Sequence, residues 1–383
     1  MLYDDCMFEL EQWQAKLLED EPSQEISSNS VEWLVEHVDE VGIVCNAWAE
    51  QATQTAQQEQ WMGSHLSWQD QQRLVASRLT SNLHFPTPEG FVRLAYPSAE
   101  LKTAAALNLL GSCRSRRKDG KLYTFHPMFV DFLISIIRDL PEDVLETTRI
   151  AALLHDFLEE DMVRVFMIFE KNGVRNDAYL KPDYSLTLIA NLKQAREDLN
   201  SGPYARFAIG DLALELMGPL LASDRIPEGI DGDEAAFFNQ ARIIFWLNWR
   251  AQGHPHYRSV KIADKIHDSS DLGYILNNQD LSQVERDAKL AAKFAKIFFS
   301  ATCLNLNSGG ELQPDVPSDL WELFITLFRK QLDSYNVDTS PDSVFAQQVS
   351  GYYTAYRSYH HIFIKECREY ATQVGLPDLP DIT

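Results

Sequence analysis

The chain has 383 residues, and 56 acidic residues outnumber 34 basic ones, which gives a formal net charge of -22. This balance argues against general nucleic-acid binding, which needs a basic surface that displaces counterions from phosphates. The hydrophobic share of 45% is ordinary for a globular protein, and the length exceeds that of most single domains.

The cysteines and the apolar segments indicate the compartment. Five cysteines are scattered along the chain without zinc-ribbon spacing: Cys6, Cys45, Cys113, Cys303 and Cys367. An odd, scattered set is typical of reduced thiols. The first residues lack a basic start followed by an apolar run, and charges interrupt the apolar stretches before they reach transmembrane length. The sequence therefore predicts a cytoplasmic protein without membrane contact, and it leaves homo-oligomerisation open.

Helical periodicity dominates the chain, so the sequence predicts an all-α fold. Apolar residues recur at steps of three and four in Val31–Trp48, Phe129–Leu140, Thr147–Phe157, Phe237–Trp249, Ala288–Phe299 and Leu320–Leu332. Alternating strand-like runs are almost absent. The Pro-Glu-Asp sequence at Pro141–Asp143 predicts a helix start, because proline suits the first turn and acids suit the positive end of the helix dipole.

Three regions follow from the turn-forming segments. We expect an N-terminal helical region over residues 1–100, ending near a loop at His84–Gly90. A central region over residues 101–305 carries the chemical motifs. The segment Asn305–Pro317, with Ser-Gly-Gly and two prolines, is typical of a linker. A C-terminal helical region over residues 306–383 includes nearly all of that segment and the helices expected after it.

The first candidate site is the His155-Asp156 pair in the segment AALLHDFLEED. Adjacent imidazole and carboxylate groups suit a divalent metal that takes mixed nitrogen and oxygen ligands. On a helix, Glu159 and Glu160 would return to the face of that pair. Such dipeptides also occur at ordinary solvated helix ends, so the interpretation depends on further ligands elsewhere in the chain.

Two other segments supply further candidate ligands. His126 lies upstream in RRKDGKLYTFHP, and Asp264 lies downstream in VKIADKIHD. Asp264 interrupts an apolar helical pattern, where an unpaired charge would cost several kcal/mol. A metal ion, or a basic partner such as Lys261 or Lys265, would offset that cost.

The order of these motifs resembles the HD hydrolase domain of the Rel/Spo-type stringent-response enzymes and their small stand-alone relatives. Those enzymes remove the 3′-diphosphate from guanosine alarmones. The resemblance covers roughly residues 110–280. The family's spacing is kept throughout one segment, formed by Arg117, Lys118, Gly120, Tyr123, His126 and Pro127.

The resemblance implies an HD-domain helical bundle with a metal site. The implied ligands of Mn²⁺, or alternatively of Fe²⁺ or another divalent metal, are His126, His155, Asp156 and Asp264. Glu159 and Glu160 fall on the family's catalytic acid pair, and either of them could orient water and exchange protons with it. The implied substrate-binding residues are Arg117, Lys118, Tyr123, Lys261 and Asp268.

Two positions depart from the family's pattern. Asp268 stands where relatives carry Asn, and Asp271 stands where many carry Thr. Both changes add negative charge next to a polyanionic substrate, so the resemblance leaves the base and the phosphate pattern of that substrate open. We expect His267 to be a packed or supporting histidine rather than a metal ligand.

The resemblance implies metal-dependent hydrolysis of a nucleotide 3′-diphosphate, such as ppGpp or ppApp, with release of pyrophosphate through a metal-activated water. The expected partner is thus a small nucleotide substrate. One alternative is another HD phosphohydrolase that acts on 5′-nucleotides. The other is a catalytically silent HD protein that binds a nucleotide and regulates another protein, although a complete set of ligands and acids argues against silence.

Overall fold

The structure of the protein is a computed structural model, and its helices confirm the all-α class. It describes residues 35–38, 50, 83–87, 90–94, 98–112, 125–135, 142–155, 193, 196–197, 200, 211, 215, 226–253, 256–270, 272–307 and 310–380. Within these ranges, no helix combines the length and the apolar composition that crossing a lipid bilayer requires.

The described elements are one hairpin and a series of helices. The strands are β1 (Leu83–Thr87) and β2 (Gly90–Leu94). The helices are α1 (Ala99–Ser112), α2 (Phe125–Ser135), α3 (Glu142–Leu154), α4 (Gly232–Ala251), α5 (His256–Ser270), α6 (Gly273–Leu276), α7 (Gln283–Asn305), α8 (Ser318–Ser334), α9 (Val344–Ser358) and α10 (His360–Val374).

The periodic segments in the second half of the chain lie inside helices, as predicted. Phe237–Trp249 lies within α4, Ala288–Phe299 within α7 and Leu320–Leu332 within α8. A capping box stabilises the start of α7. The Ser282 side chain accepts from the Glu285 N–H, and the Glu285 side chain accepts from the Ser282 N–H.

The predicted helices of the first half are confirmed in part. Helix α3 begins at Glu142, inside the predicted start at Pro141–Asp143, and it covers the first part of the segment Thr147–Phe157. Helix α2 begins at Phe125, four residues before the predicted Phe129–Leu140. Of the predicted Val31–Trp48, the described residues 35–38 are helical.

The predicted loop at His84–Gly90 is wrong, because most of this segment belongs to the antiparallel hairpin β1–β2. Leu83 pairs with Leu94 and Thr87 pairs with Gly90. Pro86 lies within β1, although proline cannot donate a hydrogen bond to a neighbouring strand. In a sheet of two strands each strand is an edge, and an edge tolerates a residue without an N–H group.

Helix α5 is the central element of the described fold. It packs against α2, α3, α4, α7 and α8. Its side chains Val260, Ile262, Ala263 and Ile266 are fully buried in the main hydrophobic cluster. A helix enclosed on several sides carries its polar residues into the interior as well, and Asp264 is one of these.

The segment predicted as a linker, Asn305–Pro317, forms a hydrogen-bonded connection. The N–H of Asn307 donates to the Glu311 carbonyl at 2.8 Å, and the N–H of Gln313 donates to the Asn305 carbonyl at 2.8 Å. Helix α8 then packs on α5, and α9 packs on α4 and α7, within the same hydrophobic cluster. The division of the chain at residues 100 and 305 stays a prediction.

Candidate metal centre

Three elements that are far apart in sequence bring His126, His155 and Asp264 together. His126 is the second residue of α2, Asp264 lies in the middle of α5, and His155 occupies the turn that follows the last residue of α3. All three side chains are buried, with residue exposures of 2%, 1% and 6% in that order. The structure therefore brings together these three of the four predicted metal ligands.

The distances between the donor atoms suit a shared metal ion. His126 Nε2 lies 3.0 Å from His155 Nε2 and 3.1 Å from Asp264 Oδ1, and His155 Nε2 lies 3.8 Å from Asp264 Oδ1. Two donors that each lie about 2.1 Å from one ion are about 3.0 Å apart at a right angle and about 3.4 Å apart at the tetrahedral angle. Two nitrogens and one carboxylate oxygen, all within 4.8 Å of one another, could thus hold one divalent ion.

The end of α3 fixes the orientation of the His155 ring. Its Nδ1 lies 2.7 Å from the carbonyl oxygen of Ala152, in the last turn of the helix. A carbonyl oxygen only accepts, so Nδ1 carries the hydrogen and donates it. In the neutral ring, Nε2 then presents its lone pair to His126 and Asp264, as a metal ligand must.

Asp264 is held as a carboxylate by two lysines of its own helix. Its Oδ2 lies 3.0 Å from Lys265 Nζ and 3.6 Å from Lys261 Nζ, while Oδ1 faces the histidines. Burial alone would raise the pKa of Asp264, but the two ammonium groups outweigh it and hold this pKa well below its usual value. The expected basic partners of Asp264 are therefore present.

Asp268 belongs to the same charged network through Lys265 but is not among the clustered donor groups. Its carboxylate lies 2.7 Å from Lys265 Nζ and 3.1 Å from Lys293 Nζ of α7. Burial would raise the pKa of Asp268, yet the two ammonium groups hold this pKa far below its usual range. The negative charge that Asp268 adds to the motif is thus balanced by lysines.

Asp268→Asn is expected to lower the free energy of unfolding at pH 7 by about 1–3 kcal/mol, because it weakens two charged hydrogen bonds. The pKa of Asp268 is lower in the folded than in the unfolded chain, so its contribution is complete above the unfolded value of about 3.9. The contribution decreases progressively as the pH falls below that unfolded value, and it is lost completely only below the folded value. Denaturant unfolding at several pH values checks this, and a constant difference down to pH 3 would contradict it.

A buried ion pair joins the two helices that carry the histidines. Arg149 of α3 donates to Asp131 of α2 through Nε at 2.8 Å and through Nη2 at 3.0 Å. Asp131 is fully buried and Arg149 is nearly so. This forked arrangement is the strong, geometrically specific form of an arginine–carboxylate pair. It fixes α2 and α3 against each other and so sets the spacing of His126 and His155.

Sequence reasoning found the three convergent residues and Lys261, but other predicted residues are not tested. Lys261 contacts Asp264, and Asp268 joins the site through Lys265. The predicted residues that lie outside the described part of the chain are Asp156, Glu159, Glu160, Arg117, Lys118 and Tyr123. Sequence reasoning missed Lys293, Asp131 and Arg149. Asp131 could have been recognised, because it is a charged residue within the otherwise apolar sequence of α2.

Comparisons of the chain with protein-family models, with curated proteins and with solved structures return no match. The family resemblance of the motifs therefore stays a prediction.

Proposed function

We propose that the protein is a metal-dependent phosphohydrolase, with a nucleotide 3′-diphosphate as its leading substrate class. The observation that carries this proposal is the convergence of His126 Nε2, His155 Nε2 and Asp264 Oδ1 in a buried centre beside lysines. When bound, a divalent ion supplies Lewis acidity, which activates water and polarises a phosphate oxygen.

The donor set favours a transition metal over magnesium. Imidazole nitrogens bind Mn²⁺, Fe²⁺, Co²⁺ and Zn²⁺, whereas Mg²⁺ is held mainly by oxygen ligands and water. His126, His155 and Asp264 would hold the ion, and the predicted fourth ligand is Asp156. Mn²⁺ is the metal that the family resemblance implies, with Fe²⁺ as the alternative.

The charges around the centre favour an anionic substrate. Among the residues that the structure describes, three lysines, Lys261, Lys265 and Lys293, contact the two carboxylates Asp264 and Asp268, which leaves one positive charge in excess before any ion binds. Lys265 Nζ lies 3.0 Å from the ligand carboxylate, close enough to reach an outer oxygen of a phosphate held at the centre. An ammonium group recognises phosphate as a compact point charge.

The nucleotide part of the proposal comes from the motif resemblance. Arg117 and Lys118 are proposed to surround the purine or pair with phosphate, and Tyr123 is proposed to line the same site. Glu159 and Glu160 are the proposed acids that orient water. The product of this reaction would be pyrophosphate, in contrast to the orthophosphate that a 5′-nucleotide phosphohydrolase releases.

The proposal is tested with the full chain, stripped of metal by a chelator and reloaded with Mn²⁺, Fe²⁺ or Zn²⁺. Substrates are ppGpp, ppApp and a panel of 5′-nucleotides, with pyrophosphate and orthophosphate measured separately. We expect pyrophosphate from a 3′-diphosphate, lost on chelation and restored by metal. Orthophosphate from 5′-nucleotides alone would instead indicate the other HD branch. Bound metal with no product from any substrate would favour the regulatory alternative.

A further inference from the structure

His267 lies beside the candidate ligand His126 in an apolar environment. It is buried, and its ring centroid lies 4.5 Å from that of His126, 5.0 Å from that of Phe125 and 4.9 Å from that of Phe129. Its Nδ1 lies 2.8 Å from His126 Nδ1, which is hydrogen-bond distance. His126 therefore faces the candidate centre with Nε2 and contacts His267 through Nδ1.

The direction of this hydrogen bond decides whether His126 can bind metal. A ligand nitrogen must offer a lone pair, so binding through Nε2 requires the hydrogen of the neutral ring to be on Nδ1. An Nδ1–H group then needs an acceptor, and the nearby Nδ1 of His267 is one if its own hydrogen is on Nε2. With the opposite arrangement, His267 would donate to His126, and His126 Nε2–H would donate to Asp264 Oδ1 instead of binding an ion.

We infer that His267 is a positioning residue, which accepts a hydrogen bond from His126 Nδ1–H and thereby turns His126 Nε2 towards the metal as a ligand. This inference rests on the proposed metal centre. The tautomers of the two histidines are then linked, because a hydrogen on His126 Nδ1 requires an unprotonated Nδ1 on His267. Metal binding and the His126–His267 hydrogen bond thus select the same arrangement.

The position of His267 on α5 supports this role. His267 follows Asp264 by three residues, so both side chains lie on one face of the helix. Asp264 Oδ1 approaches His126 Nε2 at 3.1 Å, while His267 approaches His126 Nδ1 at 2.8 Å. One helix therefore holds both nitrogens of the same imidazole ring, and Phe125 and Phe129 restrict the movement of the supporting histidine.

The test compares two variants of the full chain. His267→Phe keeps an aromatic ring but removes the acceptor, whereas His267→Asn keeps an acceptor oxygen near the position of Nδ1. Affinity for Mn²⁺ is measured by calorimetry, and Co²⁺ binding is followed by its visible absorption. Loss of a group that orients a ligand typically weakens metal binding about 10- to 100-fold. We expect a loss of that size for His267→Phe and a smaller loss for His267→Asn.

A second readout does not depend on the stability of the variants. In the wild-type chain labelled with ¹⁵N-histidine, NMR spectroscopy reports which ring nitrogen carries the hydrogen. In the metal-loaded state we expect this hydrogen on Nδ1 of His126 and on Nε2 of His267. Wild-type metal affinity in His267→Phe, or a loaded His126 whose Nδ1 is not protonated, would overturn the inference while leaving the proposed function intact. If the wild-type chain binds none of these metals, the proposed function and the inference both fail.

Discussion

Asp264→Asn is expected to abolish metal-dependent phosphate release and to weaken Mn²⁺ binding by more than about 100-fold, which exceeds the typical loss of an outer supporting group. The substitution preserves the shape of the side chain but removes the charge that faces His126 and His155. A neutral amide oxygen binds a divalent ion far more weakly than a carboxylate does. Calorimetric titration with Mn²⁺ and a product assay on the same sample measure both effects.

The control is Asp315→Asn, which makes the same change at another paired carboxylate, one that is partly buried. Asp315 pairs with Arg258 near the start of α5 and is not among the clustered donor groups. We expect this variant to keep wild-type metal affinity and turnover. If Asp264→Asn binds metal as well as the control does, the centre built on His126, His155 and Asp264 is wrong, whatever the protein hydrolyses.

The class of the fold was predicted correctly, and three of the predicted metal ligands lie together in the structure, because both features have local signals. Helical periodicity depends on neighbouring turns, and His126, His155 and Asp264 stand in recognisable motifs. The position of His155 was predicted less well, since the sequence placed it within a helix, whereas the helix ends at Leu154. Beside that end, the Ala152 carbonyl accepts from His155 Nδ1–H and orients the imidazole ring.

The supporting residues could not be predicted because they depend on contacts between distant segments. Lys293 meets Asp268 only when α7 packs on α5, and Arg149 meets Asp131 only when α3 packs on α2. Asp268 illustrates the consequence. From its motif alone it adds an unfavourable charge near an anionic substrate, but in the folded chain two lysines balance that charge.

Helix α5 gives a physical reason for the location of the site. It supplies Asp264, the lysines at positions 261 and 265, and His267, while its apolar side chains anchor it among α2, α3, α4, α7 and α8. A site on an enclosed helix holds its groups more firmly than a site on a loop does, and metal binding depends on such fixed spacing. We therefore expect substitutions that loosen α5 or its neighbours to weaken metal binding without touching a ligand.

Asp131→Ala is expected to lower the free energy of unfolding by about 3–5 kcal/mol, since it leaves the buried guanidinium of Arg149 without its forked partner. By releasing α2 from α3, it should also weaken Mn²⁺ binding, although Asp131 is not among the clustered donor groups. Denaturant unfolding and calorimetry measure the two losses. As a control, Glu369→Gln removes the partner of Lys365 in an exposed pair and should cost less than about 1 kcal/mol. The double variant Asp131→Leu, Arg149→Met should recover most of the stability, because apolar pairs often replace buried ion pairs without loss. If the double variant is as unstable as Asp131→Ala, the uncompensated charge is not the cause.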